Sequence, residues 1–179
     1  PHCKISILDD HSNELPLGDV GEIAVQSPSN MLGYWNLPEE TIKTLKDGWL
    51  RTGDAGYMDS DGYVYVHDRV KDMIVSGGEN VYPAEVESAI FGHEKISDVA
   101  VIGIPDERWG ESVKAIVVLK EGERVSEEEI INFAKERIAG FKSPKSVDFI
   151  SELPRNPSGK ILKKELRAPY WEGRDRQIN

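Results

Sequence analysis

Residues 68–87 read DRVKDMIVSGGENVYPAEVE, and the organisation of the chain is legible from this stretch outward. Asp68-Arg69-Val70-Lys71-Asp72 is an alternating charged run and Met73-Ile74-Val75 a short apolar strand. Ser76-Gly77-Gly78 is a turn without bulky side chains, open to close approach of another chain. Pro83 begins a helix, where its missing backbone N–H costs nothing. On the N-terminal side of this stretch the patterns are those of strands; on the C-terminal side helix and strand alternate.

Lys4-Ile5-Ser6-Ile7-Leu8 and Glu22-Ile23-Ala24-Val25-Gln26 alternate polar with apolar side chains, as half-buried antiparallel strands do. Pro38-Glu39-Glu40 has the proline and acids of a first helical turn, which predicts a short helix over about 38–46. Tyr57 to Val66 reads as a hairpin turning on Asp59-Ser60-Asp61-Gly62. These strands begin at Pro1 inside what reads as an ongoing sheet, so residues 1–68 are expected to be the end of a larger domain.

Downstream, Val86, Ala89 and Ile90 share a helical face that stops at Gly92-His93. Residues 97–104 and Val113 to Leu119 are apolar strands, and Val147-Asp148-Phe149-Ile150 is a third. Ser126-Glu127-Glu128-Glu129 is a capping box with Val125 and Ile130 as a hydrophobic staple, predicting a helix from Ser126 to Ala139 that stops at Gly140. A loop broken by Pro154, Pro157 and Gly159 delivers Lys160, and a basic helix over Leu162 to Arg167 and a polar tail follow. The fold expected is α+β: a small C-terminal domain over 69–179, with a three-stranded sheet flanked by helices and a β-hairpin, preceded by strands from the larger N-terminal domain.

The net charge of −10 sits mostly in the first part, where residues 1–68 hold twelve acids against four bases. Such a balance excludes the dense basic face a nucleic-acid binder needs. One cysteine, Cys3, excludes a disulfide framework and fits a reducing compartment. His2, His11, His67 and His93 lack metal-ligand spacing and read as ordinary surface or loop histidines, so no metal-ligand set is assigned. Nothing in the sequence reads as a signal peptide or transmembrane segment, and a cytoplasmic location is expected.

Gly159-Lys160-Ile161 is not a P-loop, since the earlier glycine and the Ser/Thr after the lysine are missing. On its own it fits a surface lysine beside a turn. It equally fits a stiffened loop that carries one ammonium toward a ligand. Asp54, in Arg51-Thr52-Gly53-Asp54, follows what reads as a tight turn, where a carboxylate can accept two hydrogen bonds from vicinal hydroxyls; a lone Thr-Gly-Asp is weak support for that.

Taken together, residues 68–87, Trp49-Leu50-Arg51-Thr52-Gly53-Asp54 and residues 153–161 (LPRNPSGKI) resemble the adenylate-forming superfamily of acyl-CoA synthetases, luciferases and peptide-synthetase adenylation domains. The resemblance implies that Lys160 is the catalytic lysine, binding the substrate carboxylate and phosphate oxygens. It implies that Asp54 holds the ATP ribose, with Arg69, Trp49 and Thr52 at the same nucleotide site. Lys71 becomes the hinge about which the small domain rotates, and Ser76, Gly77 and Gly78 the loop over which the pantetheine arm of coenzyme A passes. Many members that bind CoA place Arg or Lys after the glycines, where this chain has Glu79-Asn80. Trp109-Gly110-Glu111 and Phe141-Lys142-Ser143-Pro144 also match acyl-CoA synthetases and read as mainly structural.

The function implied is that of an AMP-forming acid–thiol ligase, a fatty-acid–CoA ligase above all, using ATP, Mg and CoA. The phosphate loop, adenine pocket and acyl pocket lie outside these residues, so this stretch alone is expected to be inactive. Alternatives are a ligase with a carrier-protein acceptor and a non-catalytic partner-binding module of the same fold; Asp54, Arg69 and Lys160 together weigh against the second. The expected partners are small molecules rather than nucleic acid, with room for a homodimer and, for a long-chain substrate, for peripheral membrane contact.

Overall fold

The alternating segments near the start pair as a sheet: β1 (Lys4–Leu8) lies antiparallel to β2 (Gly21–Gln26), and β2 antiparallel to β4 (Trp49–Met58). The computed structural model describes residues 2–174; the polar tail from 175 lies outside them. Helix α1 (Pro38–Thr44) is shorter than the sequence predicts, because Leu45 and Lys46 turn extended as β3 and pair with Leu50 and Trp49. The two residues between, Asp47 (φ 54°) and Gly48 (φ 81°), supply the left-handed torsions of a type I′ hairpin turn. On the other half of β4's free edge, β5 (Val64–Arg69) pairs antiparallel, completing five strands in the order β1-β2-β4-β3 with β5 beside β4.

The chain divides between Val70 and Lys71 into two units, each with its own sheet. Sequence reading put Arg69 at the head of the second domain. It belongs instead to the first unit, whose sheet it closes by pairing with Asp54.

In the second unit a 3₁₀ turn at Val70–Asp72 leads to β6 (Ile74–Ser76) and β7 (Glu79–Val81), a two-residue hairpin, and then to α2 (Pro83–Phe91). The long antiparallel pair β8 (Ile96–Asp106) and β9 (Gly110–Leu119) is its longest pairing, with β9 central and β8 at the edge. Strand β10 (Ser146–Phe149) joins β9 in parallel after α3 (Glu127–Lys135), and the single pairing Ser76↔Gly110 ties the hairpin to the same sheet. The three-stranded sheet and hairpin expected from sequence are therefore one five-stranded sheet.

Both faces of that sheet are covered, which is why β8 reads as an unbroken apolar run. Val99 and Val101 meet Val86, Ile90, Ile130 and Ala134 of the helices on one face. Ala100 and Ile102 point the other way, toward Leu153, Ile161, Leu166 and Tyr170 of the C-terminal segment that carries α4 (Lys163–Arg167). Each period-two alternation is thus buried twice.

Helix α3 starts as the capping box predicts, with Ser126 Oγ accepting from Glu129 N at 3.1 Å. It ends at Lys135 rather than near Ala139. Arg137 folds back over the Phe133 ring and donates to the Phe133 carbonyl at 2.8 Å, closing the last turn with its side chain. His93 is not at the surface: it is 7% exposed, its ring edge-on to Phe133 and its Nδ1 accepting from Lys95 N at 3.3 Å.

A polar fixture fastens the C-terminal segment to the sheet. Buried Lys114 bridges to Asp148 and sits 5.3 Å from the centre of the Tyr170 ring, and the Tyr170 hydroxyl donates to Asp148. Burial, followed by the hydrogen bond and the charge of Asp148, pushes the Tyr170 phenol up to about 12. A group bound more tightly by its proton in the folded state stabilises the fold fully below its unfolded pKa of about 10 and loses that contribution as pH rises to the folded value. The thermal midpoint is expected to fall between about pH 10 and pH 12, and Tyr170→Phe to flatten that fall; equal slopes in the two proteins would contradict the fixture.

Candidate functional site

The first unit presents a carboxylate on a bulge. Two steps of β2, from Glu22 to Ala24, face four of β4, from Arg51 to Ala55, so Thr52, Gly53 and Asp54 are thrown out of register. Asp54 therefore stands within a strand and not after a tight turn as sequence predicts; Gly53 supplies the kink with φ 74°. Thr52 Oγ1 donates to the Ile23 carbonyl at 2.7 Å and accepts from Asp54 N at 3.1 Å, so its observed work is to fix the backbone beneath the carboxylate.

Arg69 Nε lies 3.0 Å from Asp54 Oδ1, with the side chains 51% and 34% exposed. A pair this exposed adds at most about 1 kcal/mol to folding, so its effect is to orient the carboxylate. Sequence reasoning missed Glu22: its carboxylate accepts from Gly53 N at 2.9 Å and pairs with Arg51 at 2.9 Å, holding the bulge from below. No local signal marks it, since Glu22 takes a polar position of an alternating strand. Trp49 is not brought to this pair. It stands at the head of β4, five residues from Asp54, with its ring 5.1 Å from the Lys4 ammonium.

In the second unit Lys160 leaves a tight hairpin. Asn156 N donates to the Lys160 carbonyl and Gly159 N to the Asn156 carbonyl, both at 2.9 Å, while Gly159 adopts φ 84°. This is a turn closed by a glycine bulge, and the bridge Arg155↔Ile161 extends it. The Asn156 side chain accepts from Ser158 N, Ser158 Oγ and Lys160 N at 3.0, 2.8 and 2.9 Å. The backbone of Lys160 is fixed on both sides. Its side chain is exposed, and its ammonium has no hydrogen-bond or ion-pair partner among the described residues.

The 3₁₀ turn that contains Lys71 lies at the boundary between the units. Arg167 pairs with Asp72 at 3.0 Å, both side chains 13% exposed, and donates to the Lys71 carbonyl at 3.4 Å. The second-unit side of the boundary is thereby tied to α4. Farther along the helix Lys163 pairs with Glu87 at 2.8 Å, and Glu87 also accepts from Val101 N of β8.

Ser76-Gly77-Gly78-Glu79 is a type I′ hairpin turn, its glycines at φ 63° and 87°. A Cβ on Gly77 would lie 2.7 Å from the Trp109 ring, whereas one on Gly78 would meet nothing within 4 Å. Trp109 thus occupies the space over Gly77 that sequence reading left to an approaching ligand; only the Gly78 side is open. Gly77 N donates to the Trp109 carbonyl at 2.8 Å, and Glu111 accepts from Val75 N at 3.1 Å, so Trp109-Gly110-Glu111 buttresses the turn. Gly78→Ala is expected to cost about 1 kcal/mol through its left-handed torsions, and Gly77→Ala about 1–3 kcal/mol more through the clash. Equal denaturation midpoints for the two variants would contradict the Trp109 buttress. Lys142 pairs with Glu85 at 2.8 Å and Ser143 is fully buried, so Phe141 to Pro144 is structural around those two residues.

Among the described residues no group of three or more His, Cys, Asp or Glu side chains could hold a metal ion. No helix among them is long and apolar enough to cross a membrane.

Residues 85–160 match the family described as the AMP-binding enzyme C-terminal domain. A fatty acid–[acyl-carrier-protein] ligase, ScoC of Streptomyces coeruleorubidus, is 48% identical over 100% of this chain and 34% of its own length. A long-chain-fatty-acid–CoA ligase of Bacillus subtilis is 48% identical over 93% of this chain and 30% of its own. The crystal structure of ATP-bound MatB from Rhodopseudomonas palustris superposes with a TM-score of 0.87 at 40% identity, over 95% of this chain and 34% of that one. The chain spans about a third of the length of the curated relatives it matches. With the hairpin lysine, the bulged aspartate and the five-stranded α+β unit already described, these likenesses show that the chain belongs to the adenylate-forming, AMP-binding enzymes and includes their C-terminal domain.

Proposed function

We propose that this chain is the lysine-bearing part of an ATP-dependent acyl-CoA synthetase acting on a fatty acid. The observation that carries the reading is the Lys160 hairpin, a fixed backbone presenting one exposed, unpartnered ammonium. In the first half-reaction a carboxylate oxygen bonds to the α-phosphorus of ATP and the bond to pyrophosphate breaks. Negative charge gathers on the carboxylate and phosphate oxygens, where a compact ammonium stabilises it more than it stabilises the separated reactants. Asp54, oriented by Arg69 and supported by Thr52 and Glu22, accepts hydrogen bonds from the vicinal ribose hydroxyls.

In the second half-reaction the thiol sulfur of CoA bonds to the acyl carbon and AMP departs, the thiol proton passing to solvent. The open side of the turn at Gly78 serves the pantetheine arm, and Lys71 is the hinge that lets the second unit serve both steps. A carrier-protein acceptor is the second reading, favoured by the likeness to ScoC along the whole chain.

The test uses the full-length enzyme. Pyrophosphate exchange across a panel of carboxylates is expected to respond to fatty acids, and the adenylate to be captured by CoA. Exchange followed by acylation of a carrier protein but not of CoA establishes the second reading. No exchange with any carboxylate defeats both.

A further inference from the structure

The pair Arg155 and Asp98 is separated by 57 residues in sequence and joined at the base of the Lys160 hairpin. Asp98 lies near the start of β8, at the irregularity between Ile96 and Asp98 in its pairing with β9. Its Oδ1 accepts from Val99 N at 3.0 Å, which fixes the rotation of the carboxylate, and its Oδ2 accepts from Arg155 Nη2. The other guanidinium nitrogen, Nη1, donates to the Gly159 carbonyl at 2.6 Å. That carbonyl belongs to the peptide bond leading into Lys160. A continuous set of polar contacts therefore runs from β8, an edge strand of the sheet, through one planar guanidinium, to the residue before the lysine.

We propose that Asp98 and Arg155 are positioning residues for Lys160, setting the direction in which its ammonium leaves the hairpin. The inference rests on the reading of Lys160 as the residue that stabilises the adenylating step. The side chains are 28% and 43% exposed, and ion pairs so accessible to water add little to folding. What the pair does supply is geometry. A guanidinium is a rigid fork that holds two acceptors at fixed separation, here a carboxylate on β8 and a carbonyl on the loop. Asn156 shapes the turn from within but is itself part of the loop, so it cannot set the loop's angle to the sheet. The pair from β8 can.

The expected effect follows from how sharply catalysis depends on placement: a misdirection of the lysine by about 1 Å reduces the rate up to roughly a hundredfold. In the full-length enzyme, Asp98→Asn keeps the shape and an acceptor for Val99 N while removing the charge, and Arg155→Met keeps the bulk while removing the fork. Both are expected to lower kcat for carboxylate-dependent pyrophosphate exchange on the order of tenfold, with the KM for the carboxylate little changed. Thioester formation from supplied acyl-adenylate stays within about twofold, since Lys160 serves only the step in which charge gathers. Asp98→Glu, which restores the charge, recovers most of the exchange.

Lys160→Ala is measured alongside. If it abolishes exchange while Asp98→Asn and Arg155→Met leave exchange unchanged, the positioning role is overturned and the reading of Lys160 stands. If Lys160→Ala itself has no effect on exchange, that reading fails and the positioning role fails with it. If the Asp98 and Arg155 variants lower both half-reactions equally and Asp98→Glu recovers neither, the pair is structural only and the proposal is overturned.

Discussion

Lys160→Ala in the full-length enzyme is expected to lower carboxylate-dependent pyrophosphate exchange by a hundredfold or more. That loss corresponds to roughly 3 kcal/mol of stabilisation removed from the transition state. The hairpin around it should not collapse, because the turn is held by the backbone and by Asn156, neither of which uses the lysine side chain. Folding stability is therefore expected to change by less than about 0.5 kcal/mol, as for other exposed positions. Thioester formation from supplied acyl-adenylate should persist, since the ammonium matters only while charge is building. Measuring the two half-reactions separately, with a denaturation curve for the variant, checks all three statements. Exchange that survives the substitution removes Lys160 from the mechanism.

The second large effect is expected at the boundary. Lys71 lies in the 3₁₀ turn Val70–Asp72, where the units divide. Proline at 71 fixes φ near about −65° and disfavours helical torsions at Val70. It thus opposes the turn and confines the boundary to a narrower set of conformations. Adenylate formation, which comes first, is expected to continue; thioester release, which follows a change at the hinge, is expected to fall tenfold or more. Lys71→Ala, with ordinary backbone freedom, should leave both steps near wild type. Equal damage to both half-reactions in Lys71→Pro would place the hinge elsewhere. Arg167 keeps the experiment interpretable: by holding Asp72 and the Lys71 carbonyl it ties the second-unit side of the boundary to α4, which leaves the torsions next to Val70 to absorb the change.

The sequence by itself determined whatever depends on neighbours along the chain. Ser126 with Glu129 marked the start of α3, Pro83 the start of α2, and the paired glycines 77 and 78 a hairpin, because caps and turns are satisfied within four residues. The unbroken apolar run of residues 99–102 identified a buried strand. The family resemblance singled out Lys160, Asp54 and Arg69, and Asp54 and Arg69 pair across adjacent strands.

Tertiary structure alone decided what depends on register and on distant partners. A bulge is a mismatch between two strands, so neither strand announces it, and Asp54 was read as following a turn. The end of α3 was set by Arg137 folding onto Phe133, a choice the helical spacing of Ile138 does not contain. His93 was buried by Phe133, Gly77 was covered by Trp109, and Glu22 was aimed at Gly53 across 31 residues. Asp98 met Arg155 only because β8 and the C-terminal segment lie against one another. In each case the deciding partner is fixed by the packing of whole elements, and its position in sequence carries no local signal.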